Sequence, residues 1–400
     1  MNNFKYYTPT KVMFGEGTEE NLPALLKQQN AKKVLLHYGG KSAVKSGLID
    51  RVKKMMDDAG ISYVELGGVV PNPRLSLVYK GIELCKKEGV DFLLAVGGGS
   101  VIDSAKAIAY GAVYDGDVWD FYDKKAKPEK ALGVGVILTL AATGSEMSDS
   151  SVITNEDGQK KRGCNSDLSR PRFAILDPTF TMTLPAYQTS CGCTDIIMHT
   201  LERWFTSKGN MDLTDGIAAS VIKTVMKYAP KLLEDPNDYK GRAEVMWAGT
   251  LSHNGLTGCG NGGNDFATHR LEHEVSGIYD IAHGAGLAAI WGSWARYVKD
   301  NCPERFVKFA EEVMDIDPKG LTEDEIIEKG IAAMEEFFRS IDMPVSLKEL
   351  GIDPSDEDLK LLAKKCFEAT GGPFGAAKLL DEEDFFNIYK KSIDGPDAKK

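Results

Sequence analysis

The first half of the chain alternates between short runs that are apolar at almost every position and longer runs that are apolar every third or fourth. KKVLLHY, SYVELGGV, DFLLAV, ALGVGVILTL and RFAILDP are of the first kind and predict strands. GLIDRVKKMMDDAG, closing at Gly60, and LSLVYKGIELCKKEG are of the second kind and predict amphipathic helices. Strand–helix–strand order with near-continuous apolar strands predicts a mostly parallel sheet covered on both faces. The opening FKYYTPTKVMFGEG, with short β-rich runs around Pro9, predicts a hairpin. After Leu184-Pro185 strand-like runs become rare, and patterns such as DLTDGIAASVIKTVMKYAP and DEIIEKGIAAMEEFFRS predict helix after helix. The expected architecture is an α/β domain over residues 1–183 and an all-helical domain over residues 184–400, with DGPDAKK as a frayed tail.

Composition narrows the partners rather than the fold. Four hundred residues suffice for two or three domains. A net charge of −11 argues against nucleic acid, which needs a basic surface. No N-terminal stretch has the basic start, apolar middle and small-residue end of a signal peptide. The longest apolar run, over residues 131–142, falls short of the ~20 residues that span a bilayer, so no membrane partner is expected. Seven cysteines without a framework spacing predict reduced thiols in a cytoplasmic protein. Cys191-Gly192-Cys193, lacking a second matching pair, predicts two small buried residues.

Three polar turns follow predicted strands. Gly97-Gly98-Gly99-Ser100 precedes the helix VIDSAKAIAYGA, where close backbone approach and free N–H groups suit a phosphate. This is not the G-x-G-x-x-G fingerprint, so the α/β domain is read as dinucleotide-binding without being a standard Rossmann domain. Asp103, one turn into that helix, suits a nicotinamide amide or a ribose hydroxyl. Tyr38-Gly39-Gly40-Lys41-Ser42 stands where a doubly wound sheet receives the adenosine end. The hydroxyl-rich stretch from Thr139 to Ser151 is the third. Together they suit one elongated ligand such as a dinucleotide.

The second half carries metal-ligand chemistry. Asp195 and His199 are four apart on a predicted helix, as are His269 and His273, and His283 follows a turn-like Tyr279-Asp280. One such pair is more often a polar face or a satisfied core histidine. Two pairs and a further histidine, in a chain with six, suit a divalent transition metal. The zinc-peptidase pattern His-Glu-x-x-His fails, because Arg270 follows His269 and Gly277 stands where the second histidine would be.

These motifs in this order, from the FG-x-G start through GGGSVIDSAKA, TGSE, LDP and D-x-x-x-H to GNDFATHRLEH…AHGAGLA, closely resemble the iron-containing (group III) alcohol dehydrogenases. The nearest branch resembles the butanol dehydrogenases and NADPH-dependent aldehyde reductases. The resemblance implies metal ligands at Asp195, His199, His269 and His283, with His273 an additional histidine near the nicotinamide. It implies phosphate contacts at Gly98, Gly99 and Ser100, and nicotinamide-side contacts at Asp103, Thr139, Thr143 and Lys161. It also implies a homodimer that interconverts small aldehydes and primary alcohols, the metal polarising the substrate oxygen. His273 is read as a proton-exchange or nicotinamide-positioning group, or as a structural histidine held by Glu272, Glu274 or backbone. The ligand set suits Fe2+ or Zn2+ first, with Ni2+ or Co2+ also compatible.

Two further readings follow. No acid occurs between Tyr38 and Asp50, while Gly39, Gly40, Ser42 and Lys45 suit a 2′-phosphate, so NADP(H) is expected ahead of NAD(H). Polyol dehydrogenases and dehydroquinate-synthase-like lyases share the scaffold and are the alternative. Around the ligands the sequence offers Arg203 and Arg270 as the basic residues, with Phe266, Trp204 and Trp291, which favours an uncharged substrate.

Overall fold

The computed structural model describes residues 1–40, 42–206 and 211–397. The chain forms two compact units. One comprises Tyr7–Leu184 with Asn237–Thr250, and the other Met1–Tyr6, Pro185–Pro236 and the chain from Leu251 onward. The chain passes from one unit to the other at Leu184-Pro185. Residues 1–6 and 237–250 fall on the other side of that division from the expected domains.

In the first unit the strands are β1 (Lys11–Phe14), β2 (Lys33–Gly39), β3 (Ser62–Val69), β4 (Phe92–Gly97), β5 (Gly133–Leu138), β6 (Ser150–Asn155), β7 (Lys160–Asn165) and β8 (Phe173–Leu176). Six of them form a parallel sheet in the order β1-β8-β5-β4-β2-β3, and β6 and β7 form a separate antiparallel pair. Helices α1 (Leu22–Gln28), α2 (Ser42–Lys45), α3 (Leu48–Asp58), α4 (Leu75–Glu88), α5 (Gly99–Gly111) and α6 (Trp119–Tyr122) complete it.

Strand alternation divides the core in two. Val34, Leu36, Leu94 and Val96 point into one cluster with Leu48 and Val52 of α3. Leu35, Leu93 and Ala95 point into the other with Val78 of α4 and Ile102 of α5. A strand clothed on both faces has no polar positions to show, which is why these runs read as continuous. Buried His37 ties the layers together, its Nδ1 2.8 Å from the Leu66 carbonyl oxygen and its Nε2 2.9 Å from Ser104 Oγ. Burial pushes its pKa down to about 4.

The expected N-terminal hairpin is absent among the described residues. Residues 1–10 make no strand, and β1 pairs in parallel with β8 from Lys11↔Phe173 to Phe14↔Leu176. Pro9 has no N–H to give a ladder, and Thr10 Oγ1 donates instead to the Pro171 carbonyl at 2.7 Å. The β6–β7 hairpin, by contrast, was not among the expected elements.

The second unit is helical: α7 (Ala186–Trp204), α8 (Asp212–Glu234), α10 (Ala267–Tyr279), α11 (His283–Val298), α12 (Pro303–Glu312), α13 (Glu323–Ser340), α14 (Asp356–Thr370) and α15 (Glu382–Ser392). Most of α9 (Tyr239–His253) belongs to the sheet unit. Reciprocal capping boxes start α13, α14 and α15 at Thr322, Ser355 and Asp381. No described helix is long and apolar enough to cross a membrane.

Candidate metal centre and nucleotide turn

Helix α7 is buried at nearly every residue from Thr189 to Trp204. A helix enclosed on all sides is ordinarily apolar throughout, yet this one carries Asp195, His199 and Glu202. Their spacing of i, i+4 and i+7 puts them on one face. Buried polar groups need partners, and these find them on α10 and α11. His269 and Glu272 project from α10, while His283 is the first residue of α11, after a left-handed Asp280 (φ 52°) ends α10. Gly284 permits that approach, since a Cβ there would lie 2.1 Å from the Cys191 carbonyl oxygen, one turn before Asp195.

The result is three imidazoles around one carboxylate oxygen. Asp195 Oδ1 lies 3.2 Å from His199 Nδ1, 3.7 Å from His269 Nε2 and 3.7 Å from His283 Nε2. Asp195 Oδ1, His199 Nδ1 and His269 Nε2 are all buried without a satisfying hydrogen bond. Atoms of Asp195, His199 and His269 within 4.8 Å of one another are a donor set that fits a metal ion. His283, with a side chain 23% exposed, is the most accessible of the four. Burial alone would raise the Asp195 carboxyl, but the surrounding histidines hold it well below the usual carboxylate range. Burial pushes His199 well below the ordinary histidine range against the pull of Asp195. At His269 burial opposes the charge, but Asp195 and Glu202 outweigh it and hold the imidazole up.

His273 belongs to a second grouping with Glu272 and His283. Its ring centroid is 6.4 Å from that of His269 and 5.6 Å from that of His283. Glu272, expected with Glu274 as a possible holder of His273, also touches another ring: its Oε2 accepts from His283 Nδ1 in a short contact.

Three residues near the expected ligands carry no motif that marks them in the sequence. Glu202 Oε1 lies 2.9 Å from both the backbone N and Nδ1 of His269. His253 packs edge-on against His199 with ring centroids 4.1 Å apart. Asp265 is buried, its pKa pushed up to about 7 by burial and by Glu202, and it accepts from the backbone N of Ala267, Ala376 and Ala377. That clamp helps to hold Phe266 at φ 56°, a conformation that costs a bulky residue about 1–3 kcal/mol. Two buried carboxylates, Glu202 and Glu272, lie directly against the His269 and His283 imidazoles, so Asp195 is not the sole acid beside these rings.

The neighbours expected to favour an uncharged substrate divide. Trp204 and Trp291 are core residues, 1% and 0% exposed. Arg203 donates through Nη1 to the carbonyl oxygens of His199 and Ser252 and lies 4.8 Å from the Phe266 ring centre. Arg270 stacks over Phe374. Cys193 is buried and Cys191 half-buried, both as free thiols.

In the sheet unit the three polar turns end adjacent strands. The order β5-β4-β2, with Gly97 opposite Leu138 and Tyr38 opposite Val96, sets them side by side at the C-terminal edge. At roughly 4.8 Å per strand they span roughly 10 Å. Gly98 caps α5 with no side-chain hydrogen bond, so the first-turn amides of Gly99 and Ser100 meet no capping oxygen. A Cβ on Gly99 would come within 2.4 Å of Thr143, so Thr143 lies directly on the turn, and Thr139 N donates to the Gly97 carbonyl. Gly40 is open, with nothing within 4 Å of an added Cβ. Lys41 and the side chain of Ser42 lie outside the described residues. Asp103 has both oxygens engaged inside the fold, by Ser145 Oγ at 2.6 Å and Val152 N at 3.0 Å. Lys161, buried on β7, adds its charge to the same surroundings.

Comparison with known proteins gives a consistent picture. A model of the iron-containing alcohol dehydrogenase family matches residues 9–178, and a model of the C-terminal part of the Fe-containing alcohol dehydrogenase family matches residues 189–393. The Bacillus subtilis protein named Probable NADH-dependent butanol dehydrogenase 1 is 44% identical over 98% of this chain and 100% of its own. The Escherichia coli NADPH-dependent aldehyde reductase YqhD is 36% identical, covering 92% of this chain and 94% of its own. The crystal structure of NADH-dependent butanol dehydrogenase A from Thermotoga maritima superimposes with a TM-score of 0.94 at 40% identity, over 98% of this chain and 99% of that one.

Proposed function

Since the chain belongs to the iron-containing alcohol dehydrogenase family and is an NAD(P)H-linked oxidoreductase of alcohols and aldehydes, we propose a narrower assignment within it. The protein is a cytoplasmic reductase of small to medium uncharged aldehydes that prefers NADPH, holds one divalent metal ion, Fe2+ or Zn2+ first, and works as a homodimer. The reading rests above all on the three imidazoles gathered around one buried, unsatisfied carboxylate oxygen.

Asp195, His199, His269 and His283 would hold the ion, and the turn from Gly97 to Ser100 would take the pyrophosphate. When bound, the metal supplies Lewis acidity at the substrate oxygen and the nicotinamide supplies or accepts the hydride. The chain's own residues then have limited tasks. Gly39 and Gly40 leave room for the adenosine end, and Thr139 and Thr143 pack the turn on the nicotinamide side. Lys161 keeps a positive charge beside Asp103. His273, buried among the ligand helices, is suited to exchange a proton with the substrate oxygen. His273→Ala is therefore expected to retain its metal while the pH–rate profile changes shape. Loss of metal from that variant would make His273 a ligand instead.

The engagement of Arg203 and Arg270 with carbonyl oxygens and aromatic rings supports an uncharged substrate. The seven free cysteines support a reducing compartment. Phe14 and Trp247, each 40% exposed and paired edge to face at the end of the edge strand, support self-association; light scattering would read the mass directly. The decisive experiment measures initial rates over a panel of aldehydes with NADPH and NADH, after anaerobic loading with each candidate metal. Equal or better rates with phosphorylated ketoses or hydroxy acids would overturn the substrate assignment.

A further inference from the structure

We propose that Glu202 and Glu272 are positioning residues, each fixing the tautomer and ring orientation of a metal-ligating histidine on another helix. The inference rests on the metal-dependent reading above. Helix α7, which carries Asp195 and His199, also carries Glu202, which grips His269 on α10. Helix α10, which carries His269, also carries Glu272, which grips His283 on α11. The three helices are thus linked in series, α7 setting a ligand on α10 and α10 one on α11.

The chemistry follows from what a carboxylate can do. An ionised carboxylate only accepts hydrogen bonds, so a ring nitrogen against it must carry the proton. Glu202 Oε1 takes Nδ1–H of His269 and the backbone N–H of the same residue, both at 2.9 Å, pinning ring and backbone to one atom. Neutral His269 must then present the lone pair of Nε2, the atom 3.7 Å from Asp195 Oδ1. His283 repeats the arrangement, with Nδ1 against Glu272 and Nε2 3.7 Å from the same oxygen. Without these carboxylates each ring could take its other tautomer and donate Nε2–H to Asp195, closing the site against a cation. Burial adds a second argument. The Glu202 and Glu272 side chains are 1% and 0% exposed, and a buried negative charge is unfavourable unless positive charge lies beyond the ring it holds. The packing also makes room for the second clamp, since a Cβ on Gly286 would lie 2.9 Å from Glu272 Cγ.

The test uses the full chain, stripped of metal by chelation and titrated with Co2+, whose visible absorption reports ligand geometry. Glu202→Gln and Glu272→Gln are each expected to weaken Co2+ affinity by about 10–100-fold and to shift the d–d bands. The melting temperature of each metal-free variant should stay at that of the metal-free wild type. Gly286→Ala, which crowds Glu272 without removing it, should shift the bands in the same direction and remains informative if a Gln variant does not fold. Glu202→Asp, which restores the charge on a shorter arm, should recover part of the lost affinity. Unchanged affinity and spectrum in both Gln variants would overturn the proposal. So would a lower melting temperature of the metal-free variants with Co2+ binding intact, which describes a purely structural role. A wild-type chain that takes up no Co2+ would instead sink the metal-dependent reading itself.

Discussion

His269→Ala is expected to purify with little metal and to lose nearly all turnover, and His199→Ala and His283→Ala should behave alike. Lewis-acid stabilisation of developing charge is worth several kcal/mol. At 1.36 kcal/mol per factor of ten, losing about 4 kcal/mol lowers the rate about a thousandfold. His269 should give the largest loss of the three, because its removal also strands the buried Glu202 carboxylate. Metal content should therefore be read on the folded fraction, by elemental analysis after gel filtration. Full occupancy with normal rates in His269→Ala would mean the centre is misassigned.

The second large effect concerns cofactor choice. Gly39→Asp is expected to raise the KM for NADPH at least tenfold while changing that for NADH far less. An acid at the end of β2 would repel a 2′-phosphate and could bind both ribose hydroxyls. Each hydrogen bond from the turn to a charged phosphate is worth about 1.5–3 kcal/mol, which is the size of a tenfold preference or more. The backbone tolerates the change, for a Cβ at Gly39 meets the Val69 carbonyl oxygen at 3.7 Å and Val101 at 3.8 Å, ordinary contacts. Glu65 on the neighbouring β3 does not replace the missing acid freely, being engaged by Tyr38 Oη at 3.1 Å and Lys53 at 2.7 Å. The relatives' names fall on both sides, NADH for the butanol dehydrogenases and NADPH for the aldehyde reductase. Equal use of both cofactors by the unmodified enzyme would show that this turn does not read the phosphate.

What could be read from sequence depended on whether a residue's surroundings were local. FLLAVG is apolar on both faces because both faces are clothed, and no neighbour needed naming to see a strand there. Asp195, His199, His269 and His283 stood out because imidazoles are scarce in this chain. Glu202 did not, although it completes the i, i+4, i+7 series on α7. A glutamate on a helix ordinarily means solvent, and only burial shows otherwise. SSVITN and KKRGCN are too polar to announce a buried pair, yet the Asp157-Gly158 turn between them was a hairpin signal in plain view. Helix α9 was legible as a helix but not as part of the sheet unit. That allegiance comes from contacts far along the chain, such as Thr250 Oγ1 donating to Glu146 at 2.6 Å.

The parallel pairing of β1 with β8 sets a timetable for synthesis. Strands β2 to β5 come from one continuous stretch, residues 33–138, and can associate as they leave the ribosome. Lys11 meets Phe173, and until that partner exists the first strand to emerge has no neighbour to pair with. At about 5–20 residues per second the interval is roughly 8–30 s. Throughout it, Val12 and Met13, the inner residues of β1, wait beside a growing sheet whose seat for them has not been made. A nascent-chain force measurement should therefore register two separate folding events in the N-terminal half, the later one only after residue 176 has cleared the exit tunnel.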